Sequence, residues 1–545
     1  MIVAPFPIAP VNAPHPPSPP ASRPLRQRLT ALAAALALAL SATCSPASAQ
    51  NQLPSLGDPA SDDFSIATEH KLGAEIMREI RADPDYIDDP ILLEYLQSLW
   101  QPLVAQARVR GNLSADIDQR LAWEPFLVRD KDVNAFALPG GYVGVNLGLM
   151  AMTATRDELA SVLAHEMSHI TQRHIARSIG NSKRQSLMSL AAMLAGLVVA
   201  SKAGSSGVDA ANAAIVGSQA LAVQGQLNFS RDMEREADRV GWQVMTGAGF
   251  AAGGMASMFE KLEQSSRLND AGGYPYLRSH PLTSERIGEA RARMGTAAPV
   301  VQPGALEHTA AQARARVLMD SRFDALRRWQ ALDSDRVASS PSEKLLSAYS
   351  SALASTLLRD WARADTSIAA AAALVRGKEA RAERAVALLN VQSLLARGEV
   401  VRATAALEPI GTEDSRPVLL FAAQAALAAA PASVGAGSPA FASLKQREGQ
   451  LQTWVAIRPR DALAWTSLGQ VEERLGEPLR ALRADAESRL ALGDLTGAAD
   501  RLRAGQRRAR SGGAVDFIDV SVIDARLREV DAQLRQRKLD EKELR

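Results

Sequence analysis

Residues 161–175 read SVLAHEMSHITQRHI, and within them His165, Glu166 and His169 form the pattern H-E-x-x-H. Positions four apart on a helix stack on one face, so His165 and His169 can reach one metal ion together. Glu166 lies beside them, where it can hold a water and take its proton. The flanks predict a helix. Thr155-Arg156-Asp157-Glu158 reads as a capping box, Leu159, Val162, Leu163 and Ile170 give an apolar stripe, and no Pro or Gly occurs from Thr155 to Ser178.

Two His and a Glu on an exposed helix need not bind anything, so a third ligand decides the matter. Residues 230–241, SRDMEREADRVG, predict a second helix on which Glu234 and Asp238 share a face. A catalytic zinc takes three protein ligands, and His2Glu is one such set. Glu234 is the expected third ligand, and Asp238 is placed to accept the outer N–H of a ligand His. His280, in the loop sequence RSHPLTSERI, is either a fourth ligand, a donor to the oxyanion of a tetrahedral intermediate, or a surface or capping residue. His70, His174 and His308 lack such a context and read as structural; His174, five after His169, points off the ligand face.

Upstream, residues 66–81 and 91–107 predict helices, and WEPFLVR at 123–129 a strand. NAFALPGGYVGV at 134–145 predicts a turn at Pro139-Gly140-Gly141 and a second strand from Tyr142. That strand, Gly141, Tyr142, Val143 and Gly144, is either a hairpin packed under the helix or a surface on which substrate adds as a further strand; its closeness to the motif favours the substrate role. Residues 187–200, LMSLAAMLAGLVVA, are too short for a membrane span and read first as core, with a lid or a membrane contact as alternatives.

At 545 residues the chain holds two or three domains. Hydrophobic residues are 47% and aromatic ones 4%, a helix-favouring balance, and a net charge of +2 gives no reason to expect a nucleic-acid partner. Arg23, Arg26 and Arg28, the apolar run 29–40 and Ala47-Ser48-Ala49 form an export signal cleaved near Ala49, which places the mature chain outside the cytoplasm, in a bacterial periplasm. The Pro-rich segment 1–24 before it points to a start codon set too far upstream. The single cysteine, Cys44, lies in this signal, and Ser41-Ala42-Thr43 fits a lipidation site poorly.

Beyond a linker at 299–303 the chain is Ala-, Leu- and Arg-rich helix. Residues 459–469, PRDALAWTSLG, match a tetratricopeptide opening, with Ala481 at the small position of the partner helix. Gly493-Asp494 with Ala498 and Leu502 repeats the pattern of Gly398-Glu399 with Ala403 and Leu407. A stacked solenoid with a concave binding face is expected, a plain helical bundle being the alternative. Residues 522–539 form a charged closing helix.

HEMSH, SRDMEREAD, NAFALPGGYVGV and HPLTSERI, followed by such repeats behind a signal, resemble the BepA-type family of periplasmic zinc proteases. The resemblance implies a mainly α chain: an α+β gluzincin domain with a small sheet at 50–300, then an all-α tetratricopeptide-like solenoid at 301–545. It implies one Zn2+ per chain on His165, His169 and Glu234, Glu166 as base, Asp238 behind the ligands, and His280 near the metal as a possible regulator of access. It further implies misassembled outer-membrane proteins as substrates and assembly machinery as a partner of the repeats. A chaperone or scaffold with a latent protease site is the alternative. With no cysteine after the signal, any disulfide of the relatives is absent.

Overall fold

Short β-rich runs between helical ones build a four-stranded sheet in the order β1-β2-β4-β3. The computed structural model describes residues 64–180, 231–268, 275–295, 305–334, 340–411, 415–511 and 516–543. The export signal with Cys44, the segment 187–200 and the linker 299–303 lie outside them. After helix α1 (Ile66–Ala82) come β1 (Tyr86–Ile87), α2 (Pro90–Val109), β2 (Glu124–Val128), β3 (Ala135–Leu138) and β4 (Tyr142–Asn146). β2 and β4 run parallel, and the β1–β2 and β3–β4 pairs antiparallel.

This order corrects the reading of Gly141, Tyr142, Val143 and Gly144 as an exposed substrate strand. β4 is paired on both sides, Val143 with Pro125 and with Ala137, and all five of its residues are buried. No ladder edge is left there for a substrate. Among the described residues the edge on this side of the sheet belongs to β3, which turns back at Pro139-Gly140-Gly141, where both glycines have positive φ.

The motif helix α3 (Arg156–Thr171) packs against β3, α2 and α5 (Arg231–Gly247). It is buried from Glu158 to Thr171 on every side, so a one-sided apolar stripe understates its setting. Its start is half a capping box. Thr155 Oγ1 accepts from the Glu158 N–H at 3.2 Å, but Glu158 Oε2 accepts from Ala154 N–H and from Lys261 Nζ, both at 2.6 Å, instead of reaching back to Thr155. The helix also ends earlier than a Pro- and Gly-free run predicts. Arg173 takes φ 51°, its guanidinium donates to Phe64 O at 2.6 Å, and a separate helix α4 (His174–Gly180) follows.

The second half is a succession of packed helices, from α7 (Leu306–Met319), after α6 (Ser284–Met294), through α8 (Ala462–Arg474), α9 (Pro478–Ala491) and α10 (Leu495–Arg510) to α11 (Phe517–Glu543). The G-[DE] pattern is a stop and a start: Gly493 has φ 81°, and Asp494 Oδ1 accepts from the Gly497 N–H at 2.8 Å to begin α10. A Cβ on Gly469 would lie 3.2 Å from Ala481 O, so the glycine sets how closely α8 and α9 cross. Among the described residues no helix is long and apolar enough to cross a membrane.

Residues 59–545 are one unit, and arginines of the second half grip the segment that leads into α2. Arg314 is 1% exposed and donates from Nε and Nη2 to the two oxygens of Asp89, at 2.7 and 2.6 Å, while Asp89 caps α2 through Leu92 N–H. Arg416 bridges Asp88 and Asp461, and Arg384 pairs with Glu94. Removing one partner of a buried pair strands the other charge, which costs about 3–5 kcal/mol. Arg314→Ala is therefore expected to lower the free energy of urea unfolding by about that amount, whereas Arg322→Ala, whose pair with Asp320 is exposed, leaves the midpoint unchanged.

In α8, Glu472 is 3% exposed with Oε2 lacking a hydrogen-bond partner. Burial, and then the neighbouring Glu448 carboxylate, push its carboxyl up to about 8 from the ordinary 4.5. The folded chain thus keeps a proton that the unfolded chain releases, so this residue's contribution to stability is full below 4.5 and is lost as pH rises towards 8. Relative to wild type, Glu472→Gln is expected to gain stability progressively between pH 5 and 8, read by denaturant unfolding along a pH series.

Candidate metal centre

The site is made where α3 and α5 cross. A Cβ on Gly241 would lie 3.0 Å from Ala164 O and 3.1 Å from His165 N, so the glycine lets α5 come close enough to deliver Glu234 and Asp238 to the histidines of α3. Thr283 caps α6 by accepting from Arg286 N–H at 3.3 Å, and the turn before it carries His280 into the same cluster.

One ligand atom from each of His165, His169, Glu234 and His280 lies within 4.8 Å of the others, and all four residues are buried. The Nε2 atoms of His165 and His169 are 3.0 Å apart. His280 Nδ1 is 3.1 Å from Glu234 Oε1 and 3.4 Å from His165 Nε2. Lone pairs converging this closely, out of contact with water, need a cation or protons between them. Imidazoles and a carboxylate are ordinary zinc donors, so the set fits that ion.

Glu166 is fully buried beside the cluster. Its Oε2 accepts from the Ala137 N–H of β3 at 3.0 Å; its Oε1 has no hydrogen-bond partner and sits 3.5 Å from His280 Nε2. Burial raises the carboxyl above its ordinary value, against the pull of His280 and His165. The structure therefore puts an available carboxylate oxygen at the edge of the donor cluster, next to the free sheet edge.

Asp238 Oδ1 is 2.9 Å from His165 Nδ1, on the ring face away from the cluster. Burial alone would lower the His165 imidazolium, but Asp238 and Glu234 raise it to about 10. Burial would raise Glu234, but His280 and His165 hold it well below the ordinary carboxylate range; burial keeps His169 well below the usual imidazole range and so neutral.

Two neighbours are not signalled by the sequence patterns. Arg286 donates from Nε and Nη2 to the two oxygens of Asp238 at 2.6 and 2.8 Å, and its Nη1 lies 2.9 Å from Glu234 Oε2. Its only trace in the sequence is a position just after the Thr283 cap, one among 62 Lys and Arg. His174 is the other. The helix break at Arg173 turns it back, so its Nδ1 lies 2.9 Å from His169 Nδ1 and its Nε2 3.1 Å from Glu236. The expectation that it points off the ligand face assumed an unbroken helix. His308 is buried outside the cluster, between Tyr95 Oη at 2.6 Å and Thr153 O at 2.9 Å.

Residues 95–294 match the model of peptidase family M48. All four residues of the cluster fall inside that stretch. Over 268 residues the chain is 32% identical to the beta-barrel assembly-enhancing protease of Escherichia coli, covering 49% of this chain and 52% of the relative. Identity reaches 38% over 282 residues in a Vibrio cholerae relative, covering 51% of this chain and 55% of that one. A mitochondrial metalloendopeptidase of Schizosaccharomyces pombe is 28% identical over 238 residues, 42% of this chain and 61% of the relative. The chain thus spans about half the length of the bacterial relatives it matches.

Outer partners that orient metal ligands are each worth about 10–100-fold in metal affinity. Arg286→Met is expected to weaken zinc binding by about that factor in competition with a chromophoric chelator, with the helical circular dichroism of the full chain kept.

Proposed function

We propose that this chain is a zinc endopeptidase of the periplasm that cuts misassembled outer-membrane proteins, its helical half holding substrate or the assembly machinery. The observation that carries the reading is the unpartnered Glu166 Oε1 set beside a buried His-His-Glu cluster and the free β3 edge. His165, His169 and Glu234 would hold one zinc, which supplies Lewis acidity to the scissile carbonyl and to a water whose pKa falls to about 7. Glu166 takes the proton of the attacking water at Oε1 and delivers it to the leaving amine. Asp238, held by Arg286, keeps His165 turned with Nε2 inward. β3 offers to an extended substrate backbone the outer backbone groups that remain beside the Ala137 N–H, which Glu166 already holds. The names of the bacterial relatives support an outer-membrane role, and the export signal supports the compartment.

A second reading rests on His280. A catalytic zinc keeps one position open, and His280 Nδ1 stands within the donor cluster as a fourth group. The resting site is then latched, and the helical half acts as a chaperone or scaffold until His280 moves.

Metal content and casein cleavage test both. Wild type is expected to carry one zinc per chain and to cut casein, and Glu166→Gln to keep the zinc while losing at least about 100-fold in rate; cleavage surviving in that variant sinks the mechanism. Zinc without cleavage in wild type, with cleavage appearing in His280→Ala, favours the latched reading.

A further inference from the structure

Between the peptidase half and the helical half lies a groove of about 590 Å³, walled by β2 and α2 on one side and by the segment 454–462 on the other. It is distinct from the metal cluster and shares no residue with it. The size is that of ordinary ligand sites.

Its charges are unevenly satisfied. Each carboxylate that lines it already faces a guanidinium. Glu124 accepts from Arg81 at 2.6 Å, Glu94 pairs with Arg384, and Asp88 and Asp461 share Arg416. Asp461, though next to Arg460 in sequence, is further occupied by Trp454 Nε1 at 2.8 Å and by Ala464 N–H at 3.0 Å. Two arginines of the same wall, Arg458 and Arg460, have no carboxylate partner among the described residues. Arg458 sits over Trp454, its Cζ 3.8 Å from the ring centroid, a contact that holds the cation without using its N–H donors. Arg460 reaches across to Tyr142 Oη of β4 at 3.4 Å, a neutral contact that spans the two halves. The opposite wall carries Trp123, a non-glycine residue at φ 49°. A bulky residue held in that sparsely populated region marks a conformation imposed by its surroundings.

We propose that this groove binds an extended polypeptide segment carrying acidic side chains. Two guanidinium groups on alternate residues match two carboxylates along one chain better than a single chain terminus, and Leu93 and Trp123 on the opposite wall give apolar surface to the residue between them. The proposal rests on the reading of the helical half as a polypeptide-holding module, not on the peptidase chemistry.

Binding is tested on the full mature chain bearing Glu166→Gln, by anisotropy of fluorescein-labelled peptides of alternating Asp and Val, with the Asn and Val counterpart as reference. The acidic peptide is expected to bind about tenfold tighter or better, the worth of one charge-assisted pair, with the difference shrinking at high salt. Arg458→Ala with Arg460→Ala should remove that preference at an unchanged unfolding midpoint, and Arg458→Lys with Arg460→Lys should keep part of it. Equal affinity for the two peptides, or a preference that survives the double alanine variant, overturns the proposal. Loss of binding on amidating the peptide C-terminus would assign the groove to a terminal carboxylate and overturn the side-chain assignment. Casein cleavage by wild type and by His280→Ala is read separately, so a chain in which neither cuts yet which shows the arginine-dependent preference refutes the peptidase reading and leaves the groove standing.

Discussion

The close crossing of two helices at Gly241 is the constraint on which the site depends. Four donors buried in one cluster repel unless something positive joins them, and they stay together because packing forces them to. The missing side chain at Gly241 sets α5 against the backbone of Ala164 and His165. Glu234 and Asp238, one turn apart on α5, then meet the inner and outer nitrogens of the same imidazole, Nε2 and Nδ1 respectively. Arg286 completes the arrangement by offsetting both carboxylates at once, with Phe259 against its guanidinium at 5.1 Å. A buried carboxylate pair without that cation would take up protons and lose its hold on His165.

What the sequence shows of this is the part set by local periodicity. Spacing of four within a helix brings His165 to His169 and Glu234 to Asp238, and no tertiary knowledge is needed to see it. The strands at 124–128 and 142–146 and the α6 cap at Thr283 are likewise local. The misreadings come from long-range pairing. Whether β4 is central or at an edge depends on β2, which reaches it by a parallel pairing that no short-range pattern reveals. The end of α3 is set by Arg173 reaching Phe64, over a hundred residues earlier in the chain. With the helix broken at Arg173, His174 lies against His169. Arg286 escapes for a related reason: an arginine buried by two carboxylates looks in the sequence like any surface arginine.

The helical half shows arginine in two settings. Arg314 and Arg416 are locked bidentate onto aspartates near the start of α2, and such pairs hold geometry more than they add stability. Arg458 and Arg460 stand at the surface with donors left over. The difference is partner supply. The acids at Asp88, Asp89 and Glu94 are consumed by the joint between the halves, and none is left for the groove wall.

That joint reaches the metal cluster through α2. The helix receives Arg314 and Arg384 on one side, where Ile91 packs among Leu388, Val391 and Phe421, and on the other it packs against both α3 and α5. The two helices that carry the cluster therefore share a support with the helical half. Dividing the chain near residue 300 would leave Asp88, Asp89 and Glu94 without their cations and expose the Ile91 face to water. The loss would fall on the helix that backs the metal site, so the position of His165 depends on arginines more than 140 residues further along the chain.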